Sequence, residues 1–123
     1  MDASRERGAV AVEFALVVPL LILFLFGIVE GGTRYAQQSQ VNHWAFITAR
    51  DLSIDPTKSA TTVVNTLKGT STDPVTVTVS PSTLCTGAAA TEITVKVTAT
   101  RQSPSGMFGS YTLAGKGVAR CEN

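Results

Sequence analysis

Residues 9–29, AVAVEFALVVPLLILFLFGIV, form a 21-residue run whose only charged side chain is Glu13. As a helix rising 1.5 Å per residue, it would span about 30 Å, the thickness of a bilayer hydrocarbon core. The run is apolar on every face, so it must be buried in lipid or among other helices. Glu13 stands just inside its start, where an ionisable group is costly and calls for a partner. Pro19 lies within the run and removes one helical hydrogen bond near Ala15, which predicts a kink or local loosening there. That bend is either harmless in a membrane helix or a device that lets the helix adapt on leaving lipid.

The 123 residues leave room for one small domain beside this segment. A net charge of +1 lacks the basic excess of a nucleic-acid binder. Apolar residues, 44% of the chain, are most concentrated in residues 9–29, and the remainder is rich in Thr, Ser, Val and Gly. Arg5 and Arg7 precede the run, so the positive-inside tendency puts the short N-terminal segment in the cytoplasm and everything after Val29 outside it. A secretory signal is the weaker reading, because the apolar run exceeds the usual 7–15 residues and no A-x-A-like site follows it.

Past Ile28 the pattern becomes that of an amphipathic helix. Tyr35, Val41, Trp44, Ala45, Ile47, Thr48 and Leu52 form a broken apolar stripe, with Phe46 expected to pack as Trp44 does. Gly31-Gly32 is the expected place for any bend. Asp55 and Pro56 predict the cap and first position of a second short helix, with Val63, Val64 and Leu67 at helical spacing and Gly69 beyond its end. Three strands follow, at residues 75–80, 93–100 and 111–120. In the second, Ile93, Val95, Val97 and Ala99 share a face. The third is Gly-rich and reads as an edge strand after a turn at Ser103-Pro104-Ser105-Gly106. The fold class is α+β: a long N-terminal transmembrane and stalk helix, a short second helix and a small three-stranded antiparallel sheet.

An antiparallel meander sends the first and third strands in one direction, so Cys85 after the first and Cys121 at the end of the third meet at one sheet edge. A disulfide between them closes a loop worth about 4 kcal/mol by the loop-entropy model. Outside the cytoplasm such a bond is permitted. Two unpaired thiols are the weaker alternative, and a metal site weaker still, with no His or further Cys nearby.

Chemistry-bearing motifs are not found. His43, the only histidine, sits on the polar side of the expected helix without a recognisable base partner and reads as structural. Asp51 and Asp55 are better explained as caps than as an acid and base pair. Gly87-Ala88-Ala89-Ala90 reads as a loop, not a phosphate cradle, and no zinc spacing, nucleophile elbow or dinucleotide fingerprint occurs. No cofactor, no small-molecule substrate and no enzymatic activity are expected.

A polar leader ending in Gly8, then Ala9, with Glu13 five positions after the glycine, Phe14 beside it and a long apolar helix, resembles the cleavage region of type IV prepilins and pseudopilins. The string RGAVAVEFALVVPLLILFLFGIVEGGTRYAQQSQVNHWAFITAR, residues 7–50, is similar more narrowly to the TadE-like family, minor pseudopilins of tight-adherence (Tad, or Flp) pilus systems. The resemblance implies that a membrane prepilin peptidase cuts between Gly8 and Ala9 and methylates the new amino group. A glycine there lets the backbone approach the protease and leave helical geometry cheaply.

The resemblance further implies assembly through the apolar helix. Glu13 of one subunit would pair with the Ala9 amine of a neighbour; alternatively, in an unassembled chain, Glu13 snorkels to the cytoplasmic headgroups. The implied partners are the membrane, the major Flp pilin, a companion minor pseudopilin, the peptidase and the inner-membrane assembly platform. The chain thus divides into a leader (1–8), a transmembrane helix (9–29), an extracytoplasmic extension (30–52) and a small α+β head (53–123). It would sit in the cytoplasmic membrane with its N-terminus inside, and in the pilus after assembly. The runner-up is an uncleaved single-pass protein that binds a partner through its head; an anchored or secreted enzyme is a third reading with no motif behind it.

Overall fold

A computed structural model of the chain describes residues 3–81, 85 and 91–121, with side chains from Arg7 onward. One helix, α1 (Ala3–Ile54), runs for 52 residues, about 78 Å at 1.5 Å per residue. It is followed by α2 (Ala60–Lys68), β1 (Val75–Ser80), β2 (Glu92–Gln102) and β3 (Ser110–Arg120). The architecture is the expected α+β one. The divisions expected at residues 8/9 and 29/30 fall inside α1, which stays helical through Pro19, Gly31 and Gly32.

The strands form an antiparallel sheet in the order β1-β2-β3. Val77 pairs with Val97, which pairs on its other side with Gly115; Val95 likewise lies between Val79 and Gly117. Alternation puts Ile93, Val95, Val97 and Ala99 on the buried face, as their period of two predicts. Against that face lie Val41, Trp44, Ala45, Thr48, Ala49 and Leu52 of α1, with Val64 of α2 completing the core.

β3 is an edge strand, with β2 as its one strand neighbour in the sheet, yet it pairs along all eleven of its residues. Its glycines have a packing cause. A Cβ on Gly115 would lie 2.5 Å from the Val41 carbonyl oxygen, and one on Gly117 would lie 2.2 Å from that of Ala45. Four helical residues advance about 6 Å and two strand residues about 6.8 Å, so α1 and β3 run side by side in the same direction and stay in step.

Three local expectations need correction. Tyr35 is 80% exposed and Phe46 is 53% exposed. At 100° per residue, Tyr35 is turned about 120° from Val41 and Phe46 about 100° from Ala45, so neither is buried in the core between helix and sheet. Asp55 does not cap α2. Its Oδ1 instead accepts bonds from the Thr57 backbone N–H at 3.1 Å and the Thr57 hydroxyl at 2.6 Å. This Asx turn holds Pro56 in the connection and delays the helix to Ala60, whose N-cap Ser59 makes no side-chain bond. Gly69 does end α2, with φ of 64°. At the far edge of the sheet, Cys85 and Cys121 are joined by a disulfide, their Cα atoms 5.4 Å apart. The stretch Gly87-Ala88-Ala89-Ala90 lies outside the described residues.

Candidate functional site

The residues singled out for processing and assembly lie on the free N-terminal half of α1. Ala9, Glu13, Phe14 and Pro19 are all exposed, and a Cβ added at Gly8 would meet nothing within 4 Å. Leu16, Leu20, Leu23 and Phe24 are exposed on successive turns as well. None of the described residues of the head covers this surface. Its window of greatest hydropathy has no buried residue, and α1 is, among the described residues, the one helix long and apolar enough to cross a membrane. No ion pair to Glu13 occurs among the described residues. The expected site is thus a continuous apolar cylinder carrying one carboxylate, with nothing among the described residues to cover either.

A second constellation sits where that cylinder meets the head, and the sequence pattern did not reveal it. Glu30 follows directly on the apolar run and is only 8% exposed. Its Oε1 accepts a bond from the Ser103 hydroxyl at 2.6 Å and its Oε2 one from the Ser105 hydroxyl at 3.1 Å. Arg34, one turn on, approaches Oε1 at 3.5 Å. The Ser103 bond chiefly, then Ser105 and Arg34, hold the Glu30 carboxyl below its ordinary range against the opposing effect of burial. The only sequence signal was a carboxylate at the end of an apolar run; its donors lie 73 and 75 residues away.

Above Glu30 the helix is fastened to β3 by polar side chains. The Arg34 guanidinium lies over the rings of Phe108, 5.4 Å from the centroid, and Tyr111, at 4.5 Å. The Tyr111 hydroxyl donates to Gln37, and Gln38 Nε2 donates to the Ala114 carbonyl at 2.8 Å. Gln37 and Gln38 thus satisfy strand groups that an apolar residue would leave unbonded. From Glu30 to Gln38 these contacts tie α1 to the β2–β3 turn and to β3.

His43 is exposed, and among the described residues no three His, Cys, Asp or Glu side chains gather to hold a metal. The open groove between α1 and α2, lined by Ile47, Asp51, Lys58, Val63 and Leu67, has a single ion pair at its rim, Lys58 to Asp51 at 3.6 Å.

Comparison with known proteins gives a family match: residues 8–50 fit the model of TadE-like protein. The match begins at the glycine expected to precede the cut and ends within the part of α1 packed on the sheet. No curated protein and no solved structure matches the chain.

Proposed function

We propose that this chain, TadE-like over residues 8–50, is a minor pseudopilin of a Tad pilus, a structural and assembly component, not an enzyme. The observation that carries the reading is the coincidence of the family match with a helix whose residues 9–29 are left uncovered by their own domain, Glu13 among them. Such a surface requires lipid before assembly and sister helices after it.

In this reading the leader lies in the cytoplasm, residues 9–29 cross the inner membrane, and the disulfide-bonded head stands outside. A prepilin peptidase cuts after Gly8 and methylates the Ala9 amine. The helix then passes from the bilayer into the filament beside the major Flp pilin and a companion minor pseudopilin, driven through the inner-membrane platform. The cation at Ala9 and the anion at Glu13 of adjacent subunits offset each other's desolvation and set the register.

Intact mass and N-terminal sequencing of the protein from its native membrane test this. A start at Ala9 is expected. A chain retaining residues 1–8 in cells with active peptidase would instead be a permanent anchor, and a start beyond about residue 27 a secreted protein.

A further inference from the structure

The turn between β2 and β3 carries two large apolar side chains that the head does not use. Met107 is 77% exposed and Phe108 is 63% exposed. The turn is firmly built: Ser103 N–H donates to the Gly109 carbonyl at 2.8 Å, Gly106 N–H to the Ser103 carbonyl at 3.0 Å, and Gly106 and Gly109 take positive φ. A segment so well bonded presents Met107 and Phe108 in one fixed place.

That place is set by Glu30. Because Ser103 and Ser105 both donate to its carboxylate, the turn is tied to the first residue after the apolar run. Arg34, stacked on Phe108, lies four residues further along, about 6 Å by helical rise. The headgroup layer on each side of a bilayer is about 5–8 Å thick. Glu30 to Arg34 therefore traverses that layer, and the turn hangs beside it. An aromatic ring with a cation at its face and an apolar neighbour suits this boundary, where amphipathic groups collect.

We propose that the β2–β3 turn is seated, through Met107 and Phe108, at the headgroup and acyl boundary of the bilayer that residues 9–29 cross, and is held at that depth by Glu30. The inference rests on the reading of residues 9–29 as membrane-spanning. With the helix as one attachment and the turn as a second, the head is fixed in tilt and rotation above the membrane. The disulfide lies past the C-terminal ends of β1 and β3, at the end of the sheet opposite the β2–β3 turn.

The test uses the full chain with the substitution Phe108→Trp, reconstituted in phosphatidylcholine vesicles whose acyl chains are brominated near the headgroup or near the terminal methyl. Trp44 is buried and lies 14 residues past Glu30, about 21 Å along the helix, so the unsubstituted chain reports a background insensitive to bromine. The introduced indole is expected to lose about half its emission or more with shallow bromines, and less with deep ones, as for a group buried roughly 5–10 Å into the interface. The added change Glu30→Ala should restore much of that emission, and undiminished quenching there would overturn the holding role given to Glu30. If the chain floats with the vesicles and the indole is unquenched, the seating is wrong and the membrane helix stands. An indole that is shielded only when chains are assembled would assign the turn to a neighbouring copy and overturn the lipid seating. A chain that does not float with vesicles overturns both.

Discussion

Gly117 of β3 and Ala45 of α1 meet backbone to backbone: a Cβ on the glycine would fall 2.2 Å from the Ala45 carbonyl oxygen and 2.6 Å from the Phe46 nitrogen. Main-chain atoms cannot move aside as a side chain can, so this contact sets the spacing between helix and sheet. It also explains why a Gly-rich strand is stable here, the usual entropic cost of glycine being offset by an approach no other residue permits.

Substitution Gly117→Ala should therefore displace α1 and cost about 3 kcal/mol, the upper part of the range for overpacking a core. The counterpart Gly31→Ala adds a Cβ that meets nothing within 4 Å in a helical interior and should be neutral to stabilising, by up to about 1 kcal/mol. Thermal unfolding of both variants in detergent checks this. Equal effects would mean that the Gly117 contact does not set the packing.

How far the fold could be read from the sequence follows from which signals are local. The period of two in residues 93–99, the Ser103-Pro104-Ser105-Gly106 turn and Gly69 as a helix stop are local patterns, and each corresponds to the element observed. The pairing of Cys85 with Cys121 followed from strand direction alone. Helix phase was harder. Tyr35 and Phe46 are apolar enough to be assigned inward, and only the position of the sheet shows them facing out. Asp55 has the chemistry of a cap, but Thr57 supplies nearer donors. The Glu30 cluster was illegible for a different reason: hydroxyl donors from a distant turn leave no periodicity.

The disulfide closes 37 residues, Cys85 through Cys121, separated by 36 positions, and removing it should cost about 4 kcal/mol. For a domain of this size, that lowers Tm by about 15 °C or more. The variant Cys85→Ser/Cys121→Ser, compared with the oxidised chain by calorimetry, measures it. A shift of only a few degrees would place most of the head's stability in the helix–sheet core.

The Glu30 carboxyl is held below its ordinary value of 4.5 by the Ser103 hydroxyl first, with Ser105 and Arg34 adding to it. A carboxyl whose pKa falls on folding stabilises fully above its unfolded value and loses that contribution as pH drops through the folded one. The gap in Tm between the natural chain and Glu30→Gln should therefore be constant above about pH 5 and narrow below 4.5. Asp55, also lowered, chiefly by Thr57, is common to both chains and cancels in the difference. A gap that stays the same down to pH 3 would remove the carboxylate from the account.

At Gly8 the fold itself is indifferent to side-chain size, since an added Cβ has nothing within 4 Å. If the chain is processed as proposed, a defect in Gly8→Leu reports on the peptidase, whose cleft would need close backbone approach at this position. The expected outcome is an unprocessed chain that accumulates in the membrane with its head folded and its disulfide formed. Normal processing of this variant would remove glycine from the recognition signal.

Glu13 discriminates most sharply between a filament subunit and an anchor. It is exposed among apolar side chains, with no ion pair in its own chain among the described residues. Glu13→Gln keeps the shape and the hydrogen-bonding oxygen but removes the charge. In the bilayer the change makes insertion easier, so membrane levels should hold or rise. In a filament it strips a neighbour's Ala9 amine of its counter-ion, and an unpaired buried charge costs roughly 3 kcal/mol, enough to reduce incorporation by about 100-fold. Quantifying the variant in membranes and in sheared pili separates the two, because an anchor gains from the substitution and a pilus subunit is lost from the filament. Undiminished incorporation would falsify the pairing and leave the carboxylate as a marker of depth alone.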